Sequence, residues 1–195
     1  MAYRLFMRSL FMRSASPLAA LTLAAALLLS GCVPQVPAVV PPPEQTTEPV
    51  FASDEEALAA ATDAYTAYLA MSDLIAQEGG ANPERIAPFV TEEALSDQVG
   101  QFLPYTQRSL HTVGVTKFDR VTLQQSVEAT PGVIEVATYV CLDVSDVRII
   151  DKSGTDVTPI ERANRLPLEV GFEDQSGTGI LLMSRSETWS GSDFC

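Results

Sequence analysis

Residues Ile134 to Ser145, IEVATYVCLDVS, alternate without a break. Ile134, Val136, Thr138, Val140, Leu142 and Val144 fall on one side; Glu135, Ala137, Tyr139, Cys141, Asp143 and Ser145 fall on the other. Successive side chains of a strand point to opposite faces, so a period of two predicts a β-strand with one face against a core. Val147, Ile149 and Ile150 read as its extension, and Asp151-Lys152-Ser153-Gly154 as a turn. Leu166, Leu168, Val170 and Phe172 alternate again, and Glu173 to Gly179 reads as a hairpin connection. On the last strand Leu181, Met183, Arg185 and Glu187 oppose Ile180, Leu182 and Ser184, up to Trp189. An earlier strand is expected around Lys117 to Val127.

Before His111 the period is helical. Ser53-Asp54-Glu55-Glu56 has the spacing of a capping box, with acids in the first turn where the helix dipole favours them. Leu58, Ala61, Tyr65, Tyr68, Leu69 and Ile75 then share one helical face, which Gly79-Gly80 ends. Asn82-Pro83 starts a short helix with Ile86, Phe89 and Val90 on its apolar side. Thr91-Glu92-Glu93 caps another, carrying Leu95, Val99, Phe102, Leu103 and Leu110, which Pro104 kinks or shortens. Helices followed by an antiparallel meander give an α+β domain, and no internal repeat is present.

The first 31 residues have another character. Arg4, Arg8 and Arg13 precede an uncharged run from Pro17 to Gly31. That run falls short of the roughly 20 apolar residues of a spanning helix. A basic start, a short apolar stretch and small closing residues describe a secretory signal peptide. Its last residues, Leu29-Ser30-Gly31-Cys32, resemble the lipobox of bacterial lipoproteins. The resemblance implies a diacylglycerol on the Cys32 sulfur, cutting just before Cys32, and a lipid anchor at the outer side of the bacterial cell membrane. Two or more acyl chains make such an anchor stable where one does not.

The expected organisation is a signal peptide over 1–31, lipidated Cys32 with a proline-rich linker over 32–52, and a single domain over 53–195. Six prolines lie between Val33 and Ala52. In polyproline geometry, at about 3.1 Å per residue, that segment reaches roughly 60 Å and reads as a stalk. Loss of Arg4, Arg8 and Arg13 with the leader takes the net charge from −13 to −16. So acidic a chain is repelled by phosphate backbones, which argues against nucleic-acid binding.

Cys141 and Cys195 are the two remaining cysteines. Thiols outside the cytoplasm are oxidised, and an even pair predicts one structural disulfide. His111 is the sole histidine, so a zinc site lacks its three or four nitrogen and sulfur ligands. No glycine-rich phosphate loop occurs, and no cofactor is expected.

The element order, with Cys141-Leu142-Asp143-Val144-Ser145 in the longest strand and Trp189 to Cys195 at the end, resembles small secreted actinobacterial lipoproteins. Their domain is of the nuclear transport factor 2-like superfamily, shared with ketosteroid isomerase and polyketide cyclases. The resemblance implies a cone: N-terminal helices packed on a curved antiparallel sheet. It also implies face-to-face pairing of sheets into a homodimer, unless the tail from Cys141 to Cys195 covers that face. Tyr65, Tyr68, Phe102, Tyr105 and Trp189 read first as core or rim; Tyr65, Tyr68, Phe102 and Tyr105 are the candidate pocket residues if such a cone encloses a cavity.

Isomerases of this fold use a strand carboxylate and a tyrosine. Asp143 could be cast with Tyr65 or Tyr68, but strand parity turns Asp143 away from the helices. Ser184, Ser186 and Ser190 have no histidine partner for a triad, and His111 reads as a junction residue. The leading expectation is non-catalytic: binding of a small apolar ligand or an envelope protein. An isomerase, cyclase or hydrolase with a pocket acid is the second reading, and a structural part of an envelope complex is the third.

Overall fold

The structure is a computed structural model that describes residues 49–195. The leader, Cys32 and the linker as far as residue 48 lie outside the described residues. Helix α1 spans Asp54–Gln77. The Ser53 hydroxyl accepts from the Glu56 N–H at 3.2 Å, and the Glu56 carboxylate accepts from the Ala52 N–H at 2.7 Å. The helix start is thus closed from both sides. Ala57, Ala61, Tyr65, Tyr68, Leu69 and Ile75 form its buried face. At its end the Gly80 N–H bonds the Ile75 carbonyl at 2.8 Å. Gly80 has φ +78°, and a Cβ there would lie 2.7 Å from the Phe102 carbonyl oxygen, so glycine is required twice over.

A 3-10 helix follows at Pro83–Phe89, then α2 at Glu92–Gly100 and α3 at Leu103–Arg108. Thr91 caps α2. Pro104 sits in the first turn of α3, where its missing N–H costs nothing, so the expected third helix is two helices with a break at Gln101–Phe102.

Strands β2 (Lys117–Thr130), β3 (Val133–Asp143), β5 (Arg165–Asp174) and β6 (Leu182–Thr188) form an antiparallel sheet in the order β2-β3-β5-β6. The helices lie on one face of it. Val136, Val140, Leu168, Val170, Phe172 and Met183 from the sheet pack with the buried face of α1, Ile86, Val90 and Phe102 in one core. The predicted parity of β3 holds: Val136 and Val140 face the helices, and Tyr139, Cys141 and Asp143 face away.

Two expectations for the strands are corrected. Val147, Ile149 and Ile150 do not extend β3. The Asp143 carboxylate accepts from the Ser145 N–H and the Val147 N–H bonds the Val144 carbonyl, so the chain turns. Arg148–Ile150 is a separate strand, β4, paired with β1 (His111–Val113) in a second two-stranded sheet. On β6, the register passes from Gly171↔Arg185 to Phe172↔Met183, which leaves Ser184 as an extra residue. This bulge inverts the faces. Met183 is buried in the core, while Arg185 and Glu187 share the outer face with Glu169.

Candidate functional site

Three of the four candidate pocket residues are core. Tyr65, Tyr68 and Phe102 are buried. Tyr65 meets Phe118 edge-on at 5.0 Å between ring centroids, Phe172 at 6.2 Å, and stacks on Tyr68 at 6.0 Å. These rings occupy the space between α1 and the sheet. Burial pushes the Tyr68 phenol up to about 12, and the Ser72 hydroxyl offsets part of that. Burial raises Tyr65 further; Tyr68 adds to the shift and the Ser186 hydroxyl offsets some of it. Five depressions on the surface of the described residues are open, and none of these five is lined by Tyr65, Tyr68 or Phe102. Tyr105 lines one of about 410 Å³ with Gln77, Gly79 and His111, the half-buried first residue of β1.

The depression with the most developed chemistry lies elsewhere. It is a groove of about 280 Å³ between α2 and the edge of β6. Glu93, Asp97, Gln98 and Gln101 form the helix wall, and Ser184, Arg185, Ser186 and Glu187 the strand wall. Gln98 is the built part. It is 7% exposed, and its Oε1 accepts from the buried Tyr68 hydroxyl at 2.6 Å. Arg185 is held by Glu169 at 2.8 Å. The groove is therefore polar and net acidic, with an amide on its floor fixed by a buried tyrosine. It can receive hydrogen-bonding backbone and a cation.

Sequence reasoning placed no function on Gln98, Glu93, Asp97 or Ser186. The signal was present in part: Glu93, Asp97 and Gln101 recur every fourth residue, which places them on one side of a helix. That β6 would run beside that side was not readable.

The C-terminus packs against part of the opposite face of the sheet. Cys141 and Cys195 form a disulfide. Trp189 packs edge-on against Tyr139 at 4.8 Å, Phe194 packs at 5.6 Å, and the Arg120 guanidinium donates to the Phe194 carbonyl. Beside the disulfide, Arg165 bridges Asp119 at 2.7 Å and Asp143 at 2.8 Å. Hydrogen bonds from Ser145 hold the Asp143 carboxyl below its usual range, and Arg165 adds to this. Asp143 is thus an ionised partner of an arginine, on the face away from Tyr65 and Tyr68. Ser184 and Ser186 line the α2–β6 groove, whereas His111 lines a different depression, so the geometry supplies no triad. Among the described residues, no three His, Cys, Asp or Glu side chains gather as a metal site would need. No helix among them is long and apolar enough to cross a membrane.

No protein-family model matches the chain, and no curated protein does. Among solved structures it is similar to the intermembrane space region of the chloroplast protein ARC6, with TM-score 0.48 and 9% identity over 69% of this chain and 97% of that one. It is equally similar to a periplasmic fragment of TraM, with TM-score 0.48 and 9% identity over 71% of this chain and 98% of that one. Superpositions at this level assign neither family nor function. The architecture stands on its own as α+β, with three α-helices and antiparallel sheets.

Proposed function

We propose that this chain is a lipid-anchored, extracytoplasmic docking domain: Cys32 carries the lipid, residues 33–52 space the domain from the membrane, and residues 53–195 bind another envelope protein. The observation that carries the reading is the filled interior. A carrier of small apolar molecules needs an enclosed cavity of several hundred cubic ångströms, about 300–1,000 Å³. Here Tyr65, Tyr68, Phe118 and Phe172 meet ring to ring in the position such a cavity would take. An enzyme of the isomerase type needs a desolvated acid facing that cavity, and Asp143 faces out, tied to Arg165. The docking role is further supported by the polar α2–β6 groove.

An extracytoplasmic setting is supported by the Cys141–Cys195 disulfide, since such bonds persist in oxidising compartments. We read the domain as the cone-shaped nuclear transport factor 2-like fold, on the strength of its helices packed against one face of an antiparallel sheet whose long strand β2 is bent by bulges.

The test is photo-crosslinking of the full chain in its own cells, with a reactive residue placed singly at Gln101, Ala129, Lys152 or Ile160. A discrete protein adduct from at least one face is expected. No adduct from any of the four would contradict a docking role.

A further inference from the structure

The α2–β6 groove has three features that together define an occupant. The first is a free sheet edge. Among the described residues, β5 is the one sheet neighbour of β6. The Trp189 N–H donates to the Pro167 carbonyl at 2.8 Å, so peptide groups at Arg185 and Glu187 face β5. By the alternation of an antiparallel ladder, those of Ser186 and Thr188 face away from β5, and Ser186 lines the groove. The chain already uses this edge once. The Thr91 N–H donates to the Met183 carbonyl at 3.0 Å, and Val90 bridges Met183 in parallel register. The chain then rises into α2, and the following rungs stay uncovered.

The second feature is Gln98. Gln98 lines the groove, its Oε1 is held by Tyr68, and its Nε2 has no partner among the described residues. An incoming carbonyl can accept from this open donor. The third is charge. Glu93, Asp97 and Glu187 line the groove, and its one cation, Arg185, is engaged by Glu169.

We propose that an extended peptide segment bearing lysine or arginine adds as a strand to the free edge of β6. Its backbone pairs with Ser186 and Thr188, one of its carbonyls meets Gln98 Nε2, and its cation meets Glu93 or Asp97 of α2. Main-chain bonds give such a seat its affinity, and the flanking carboxylates give it preference. The proposal rests on the docking role and names the partner segment.

The probe is an octapeptide of alternating lysine and valine, compared with its glutamate–valine counterpart, added to the full chain. Binding is read by fluorescence anisotropy, and backbone pairing by hydrogen–deuterium exchange over residues 182–188. The lysine peptide should bind and slow exchange there, and the glutamate peptide should do neither. Asp97→Lys and Glu93→Lys alter exposed positions and keep the fold by circular dichroism. Each should weaken binding by about tenfold, as expected for loss of a close charge pair. Three results overturn the proposal: no binding of the lysine peptide, binding with exchange over 182–188 unchanged, or binding indifferent to both reversals. A crosslinked protein partner at another face alongside any of these would leave the docking role standing. Loss of all crosslinks would remove that role as well.

Discussion

Asp174 shows how single residues hold this fold. It is wholly buried at the end of β5, and its carboxylate accepts from the Ser176 N–H at 2.8 Å and the Ser176 hydroxyl at 2.7 Å, and also from the Gly179 N–H. Burial pushes its carboxyl up, but these hydrogen bonds outweigh burial and leave it below the ordinary value. Asp143 and Asp151 are lowered as well, each chiefly by a serine hydroxyl. A carboxyl lowered in the fold adds stability above its unfolded value, about 3.9, and loses it as pH falls through the folded value. The denaturant midpoint should therefore be flat above about pH 5 and fall steadily below pH 4. Asp174→Asn should lower the neutral-pH stability by about 1 kcal/mol and flatten that acid limb. An unchanged acid limb would contradict this role for Asp174. The tyrosines act at the other end of the scale. Their raised values give stability that is complete below the unfolded value of about 10 and is lost as pH rises past it. In an absorbance titration, Tyr65 and Tyr68 should stay silent up to about pH 12 or ionise together with unfolding. Gradual titration near pH 10 in the folded protein would contradict their burial.

At the scale of elements, the C-terminal tail is the dependent part. Its contacts include the disulfide, the Tyr139 ring, Arg120 and the Pro167 carbonyl. The disulfide spans a sequence separation of 54, worth about 4 kcal/mol by the chain-entropy argument. Cys195→Ser should lower stability by an amount of that order, measured by denaturant unfolding under non-reducing conditions, and should uncover Trp189 to a fluorescence quencher. Unchanged quenching would show that the tail holds its place without the bond.

What was legible follows from periodicity. The capping box, the buried face of α1, the parity of β3 and the cysteine pairing all stand in the sequence, because each is set by local spacing or by count. The bulge at Ser184 was not legible, since an inserted residue leaves the alternating pattern of β6 unchanged as written. The pairing of β1 with β4 was hidden for a different reason: three-residue strands carry too little pattern, and their partner lies far along the chain. The candidate groove fell to both causes. Its helix wall has a readable four-residue spacing, but its strand wall depends on the bulge, and the Tyr68–Gln98 bond joins residues 30 apart. The burial of Tyr65 and Tyr68 is legible from their place on the apolar face of α1, whereas their packing on Phe118 and Phe172 joins distant strands and is not.

At the scale of the whole molecule, the proposed lipid anchor on Cys32 and the proposed docking surface each have their own test. Cys32→Ala should release the protein from membranes into the soluble fraction while leaving the unfolding midpoint of the domain unchanged; full membrane retention of that variant would contradict the lipobox. The central claim, docking rather than carriage of a small molecule, is tested most directly by native mass spectrometry of the full chain extracted from its own membrane. The account predicts the mass of the protein with its covalent lipid and no further apolar ligand. A discrete additional mass that leaves on denaturation would contradict the filled interior and make the domain a carrier.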